Sequence, residues 1–131
     1  MGKAMRFLLM IGAAFGFTFG AMGVASAAEC GSGYTCIWQN NDYGGDYNAR
    51  SINSGDFSLN NAASSAGANG ATCRTSRFYD GTGQSGSYFT LSSAQLVGSN
   101  YQDPNLSNGV GNDGAGINWD NRVSSYQFLN C

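Results

Sequence analysis

The sequence predicts an all-β fold, a compact sandwich or barrel, on three observations. After Cys36 no apolar stripe of helical period runs to a useful length. Short aromatic and β-branched runs ("YTCIWQ", "DYNARSI", "SRFYDG", "SYFTLS", "SSYQFL") alternate with turns rich in Asn, Gly, Ser and Asp, the pattern of short strands joined by tight turns. Twenty glycines and one proline among 131 residues suit tight turns rather than a proline-rich linker.

Residues 1–28 read as a secretory signal peptide. Lys3 and Arg6 make a positive start, Phe7–Val24 is apolar, and Ala25 and Ala27 stand in the small-residue positions of a cleavage site. The remainder, 29–131, has the length of one domain. It holds four arginines, no lysine and no histidine against eight acids, a formal charge of −4. Nucleic acids and anionic membranes require clustered basic side chains, so neither is expected as a partner.

All four cysteines fall in the exported part, and an even count in a small exported chain reads as two disulfides. Of three possible pairings we favour Cys30–Cys36, closing a short loop, and Cys73–Cys131, tying a middle strand to the last residue. The longer loop should contribute on the order of 4 kcal/mol by restricting the unfolded chain. A zinc site finds no CxxC pair and no histidine to support it.

The strands come in two similar sets. A shift of 41 residues lays Ile37–Asn48 on Phe78–Phe89, so that Trp38 meets Tyr79, Gln39 meets Asp80, Gly45 meets Gly86 and Tyr47 meets Tyr88. A glycine fixed between strands marks a positive φ or a close backbone approach, and the set reads as one supersecondary unit used twice. Trp38, Trp119, Tyr47 and Tyr88 are expected to pack rather than bind. The second set is longer by 19 residues, which places an inserted Asn- and Gly-rich loop at about 92–118.

Each set closes on the same polar phrase, "NNAASS" at Asn60–Ser65 and "DNRVSS" at Asp120–Ser125. Asn and Ser bond their own backbone in turns, so both phrases could be turns alone. They also offer amide, hydroxyl and carbonyl oxygens of the kind Ca²⁺ takes in sixes to eights. Among these donors only Asp120 is a carboxylate. Because affinity follows ligand charge, binding is expected to be weak to moderate.

The aromatic-to-glycine pattern with the doubled Asx-Asx-x-x-Ser-Ser phrase resembles the βγ-crystallin superfamily, including its microbial calcium-binding members. The opening "CGSGYTCIWQNNDYGG" is similar to the peptidase inhibitor family typified by the secreted Streptomyces metalloproteinase inhibitor. The resemblance implies a βγ-crystallin-like sandwich of two Greek-key motifs with swapped strands, the first at 37–65 and the second at 78–128. It also implies two Ca²⁺ sites, each combining both halves. Ser64 and Ser124 would give hydroxyls, Ala62 and Arg122 backbone carbonyls, and Gln39 and Asp80 main-chain oxygens. Asn61 and Asn121 would each reach into the opposite site. Asp binds more strongly than Asn at those two positions.

Catalysis is hard to build from this composition. Without histidine or lysine the usual bases and Ser-His or Cys-His pairs are missing from the exported part, and the protein is read as a non-enzyme. A secreted monomer that inhibits an extracellular protease, by the resemblance a metalloprotease, is the favoured role. A rigid, disulfide-tied sandwich presents a preorganised loop well. Tyr101, Asp103 and Pro104 of the inserted loop are the candidate inhibitory contacts. The alternative is a calcium-stabilised structural or toxin-like module with no protease target.

Overall fold

The computed structural model describes residues 30–109 and 116–131. The proposed signal peptide and residues 110–115 of the proposed loop lie outside the described residues.

Among the described residues, eight strands form two antiparallel sheets. They are β1 (Tyr34–Trp38), β2 (Tyr47–Arg50), β3 (Ser54–Asp56), β4 (Ser65–Asn69), β5 (Thr75–Gly81), β6 (Ser85–Ser92), β7 (Gln102–Asp103) and β8 (Ser125–Leu129). One sheet runs β2-β1-β4-β7 and the other β3-β8-β5-β6. Each half therefore contributes three strands to one sheet and one strand to the other. β3 leaves the first half to pair with β8, and β7 leaves the second half to pair with β4.

Both disulfides join the favoured partners, Cys30 to Cys36 and Cys73 to Cys131. The core between the sheets is aromatic. Phe78 stacks on Phe89 at 4.8 Å, Phe89 meets Trp119 at 5.0 Å and Phe57 meets Tyr126 at 5.0 Å. Such pairs each contribute about 0.5–1.5 kcal/mol beyond the area they bury. Ile37, Leu91, Leu106 and Val123 complete this cluster. A second cluster of Cys30, Cys36 and Trp38, backed by Tyr43 and Ala49, covers the other face of the first sheet.

Trp38 and Trp119 are buried as expected. Tyr47 and Tyr88 differ: both are exposed, Tyr47 at 63 %. They lie on the outer faces, Tyr47 stacked at 6.0 Å on Trp38 and Tyr88 at 5.8 Å from Tyr79. Alternation along a strand sends every second aromatic outward, and there each tyrosine covers the buried ring of its strand partner.

The repeat is physical as well as textual. Gly45 and Gly86 both adopt positive φ, 76° and 86°. A Cβ on Gly45 would stand 2.7 Å from Asn40 Nδ2, and one on Gly86 would run into Asp80 Oδ1. Only glycine fits either hairpin.

The long stretch expected as an inserted loop holds built structure among its described residues. It carries β7 and the 3-10 turn Leu106–Asn108, whose Leu106 is buried in the core. β7 is the swapped strand itself. Its two polar residues give no alternating signal, so composition alone reads the segment as loop.

Candidate functional site

The two polar phrases lie back to back across the junction of the halves. Asn61 N–H donates to Val123 O at 2.9 Å, and Asn121 N–H donates to Ala63 O at 2.8 Å. Each phrase thus holds the other by reciprocal backbone bonds. Asn61 and Asn121 both have positive φ, 55° and 59°, a region Asn tolerates better than most side chains. The second Asx of each phrase therefore has a backbone task besides any ligand role.

The two serines of each phrase have separate tasks. The Ser65 hydroxyl donates to Asn40 O at 2.7 Å and accepts from Tyr43 N–H at 3.1 Å. The Ser125 hydroxyl donates to Gly81 O at 2.5 Å and accepts from Gln84 N–H at 3.0 Å. These partners are again 41 residues apart, and each buried serine locks the hairpin of its own half. Sequence reasoning gave these two serines no individual role. The signal available was that the same second serine follows both copies of the repeat.

The first serine of the second phrase faces a candidate site. Ser124 Oγ lies 2.9 Å from Asn61 Oδ1 and 3.1 Å from the Asp80 carbonyl, sharing its one proton between them. The pairing of β5 with β6 shifts register between Tyr79 and Gly81. That bulge takes Asp80 out of the ladder and turns its carbonyl toward Ser124. Asn61, Ser124, Asp80 and Arg122 are thus collected at one place from both halves.

The companion set is looser. Ser64 N–H donates to Trp38 O at 2.9 Å, as Ser124 N–H does to Tyr79 O at 2.8 Å. Yet among the described residues no side-chain hydrogen bond joins Ser64 to Asn121. The Asn121 amide donates instead to Asp120 Oδ2 at 3.3 Å. Asp120 Oδ1 is buried with no hydrogen-bond partner among the described residues. The carbonyls of Ala62 and Arg122 accept no hydrogen bond among the described residues.

Charge separates the sets further. At Asp80 the carboxylate pairs with Arg122, Nη2 to Oδ2 at 2.7 Å. The matching positions in the first half are Gln39 and Ala62, neither of them charged. Among the described residues no three His, Cys, Asp or Glu gather as a metal-holding group. Hydroxyl, amide and carbonyl oxygens outnumber carboxylates in both sets.

The candidate inhibitory contacts are placed unevenly. Tyr101 is half-buried and Pro104 exposed, but Asp103 is fully buried. It stands on β7 opposite Ala66, its Oδ1 accepting from Asn105 N–H at 2.9 Å while Oδ2 has no partner among the described residues. Asp103 therefore offers no surface to another protein. Burial pushes its carboxyl above the usual carboxylate range, against the lowering effect of the Asn105 N–H. Burial, then the charge of Asp103, followed by Asp42 and Tyr101, pushes the Tyr43 hydroxyl up to about 12.

No protein-family model matches this chain. No curated protein matches it either. Among solved structures it is similar to a βγ-crystallin from Ciona intestinalis, at 21% identity over 74% of this chain and 100% of that one, with a TM-score of 0.51. A βγ-crystallin from an archaeon gives 21% identity, 76% and 100% coverage, and 0.52. A structure described under the evolution of the eye lens βγ-crystallin domain fold gives 17%, 76% and 88%, and 0.55. With two four-stranded sheets that exchange a strand and a doubled hairpin locked by serine, this chain has the βγ-crystallin fold.

Proposed function

We propose that the chain is an exported, non-enzymatic βγ-crystallin-fold module that binds Ca²⁺ with weak to moderate affinity at its paired polar turns. The carrying observation is the convergence of Asn61 Oδ1, Ser124 Oγ and the Asp80 carbonyl, with separations of 2.9 and 3.1 Å. Oxygens held at about 2.4 Å from a calcium ion, roughly 72–90° apart, stand about 2.8–3.4 Å from one another. The donors present fit such an ion. When bound, it would draw together oxygens from both halves. Two disulfides fit an oxidising compartment. Among the described residues no helix is long and apolar enough to cross a membrane.

Calcium titration of the oxidised protein tests the reading. Calcium at about a hundredfold excess over Kd should add about 2.7 kcal/mol of stability, read as a rise in melting temperature. No heat of binding and no shift at millimolar calcium would remove calcium from the account.

A second reading, inhibition of an extracellular metallopeptidase, is favoured by the turn at Pro104. Its carbonyl accepts from Asp42 N–H at 2.8 Å, and Leu106 N–H donates to Ser64 O at 2.9 Å. An exposed proline pinned on both sides is preorganised for a partner. Stoichiometric loss of activity of a thermolysin-like enzyme, with trypsin-type and subtilisin-type enzymes unaffected, is the expected outcome at constant calcium. No inhibition of any of them would leave a calcium-stabilised structural or toxin-like module.

A further inference from the structure

We infer that Arg122 is a tethered cation that makes the two calcium sites unequal, suppressing divalent binding at the Asn61–Ser124–Asp80 set and leaving the Asn121–Ser64–Gln39 set to fill first. The inference rests on the calcium reading and extends it. Arg122 is held on three sides. Its Nη2 meets Asp80 Oδ2 at 2.7 Å, its Nη1 donates to Asn118 O at 3.2 Å, and its guanidinium lies 5.0 Å from the centre of the Trp119 ring. A side chain fixed by a carboxylate, a carbonyl and an aromatic face does not swing freely into solvent.

The position of this charge matters because Asp80 has two parts in the site. Its carbonyl is one of the converging oxygens, and its carboxylate is the charge that would draw a divalent ion to them. The guanidinium neutralises that carboxylate, so the pair offers a divalent ion no net charge. Calcium affinity follows the number of charged ligands and the local field. The oxygens are therefore arranged for a cation whose electrostatic attraction Arg122 already answers. In the first half Ala62 and Gln39 impose no such opposition, and the buried Asp120 Oδ1 lies beside Asn121 with no hydrogen-bond partner among the described residues.

The test is a calcium titration of the oxidised protein followed by NMR of the side-chain amides of Asn61 and Asn121. In the parent protein the Asn121 resonances should move at about tenfold lower calcium than those of Asn61. Arg122→Gln should bring the two midpoints together by tightening the Asn61 step. Arg122→Lys, which keeps the charge, should preserve the gap, and Ser64→Ala should remove the tighter step. Spectra recorded in a chelator establish that each variant is folded. Equal midpoints in the parent protein, or a gap unchanged in Arg122→Gln, would overturn the role of Arg122 while calcium binding stood. No movement of either amide at millimolar calcium would overturn both.

Discussion

The two polar phrases share a plan and differ in what stands around them. Asn60–Ser65 follows Leu59, a partly buried residue at the margin of the core, and Asp120–Ser125 follows Trp119, buried at its centre. The first has alanine where the second has Arg122, and reaches toward Gln39 where the second reaches toward Asp80. What is identical is the mechanical part: the reciprocal Asn backbone bonds and the hairpin-locking serines. What differs is apolar anchoring and charge. The repeat keeps the joint the same while the load on each side differs.

The largest test of that difference is truncation of the anchors. Trp119→Ala should cost about 3–5 kcal/mol, while Leu59→Ala, with less area to lose, should cost about 1–2 kcal/mol. Urea unfolding of the two variants measures the gap, and equal losses would break the contrast. The locking serines should behave alike. Ser65→Ala and Ser125→Ala each leave a backbone N–H and a carbonyl unpaired in the hairpin, at about 1–3 kcal/mol apiece. A loss confined to one would mean that the repeat is only geometric.

The swapped strands sharpen the contrast through pH. By register Asp103 on β7 occupies the place that Gly55 holds on β3, each opposite the residue after a locking serine. The folded-state carboxyl of Asp103 is raised, so below about pH 3.9 both folded and unfolded chains hold its proton and its contribution is flat. As pH rises the unfolded chain releases the proton first. The contribution of Asp103 to stability then falls until the pH passes its folded-state value. Relative to Asp103→Asn, the parent protein should lose stability across that window, measured by urea midpoints at a series of pH values. A constant difference would sink the assignment.

The smallest effect is at Arg122. Its ion pair is partly exposed, at 41 % and 23 % of the two side chains, and solvent-screened pairs contribute about 0–1 kcal/mol. Arg122→Gln in a chelator should melt close to the parent protein. A large loss would assign Arg122 to the fold rather than to the control of cations.

The 41-residue repeat was legible because hairpin chemistry is local. Trp38, Gly45 and Tyr47 sit within ten residues, as do Tyr79, Gly86 and Tyr88. The disulfide pairing was legible for a similar reason, since few arrangements of four cysteines suit one small domain. The strands β3 and β7 were not legible. "SGD" and "QD" have no alternation, and pairing with a distant strand alone makes them strands. Likewise a buried Asp103 inside a polar stretch looks like solvent-facing loop until β4 is placed beside it. At the candidate site the phrases announced themselves by repetition. The grip of Asp80 on Arg122 and the bond from Ser124 to the Asp80 carbonyl join residues more than 40 apart, which spacing along the chain does not reveal.

The exchange of β3 and β7 has a consequence for how such a molecule can be divided. Each half, alone, lacks the strand that covers one sheet edge and carries a loose strand belonging to another edge. Two fragments cut between Asn69 and Thr75 would therefore be complementary objects, each a template for the other. Mixed together, they should reassemble as a pair. Kept apart, each would seek a second copy of itself to lend the missing strand, so the strand exchange folds a latent dimer into a single chain.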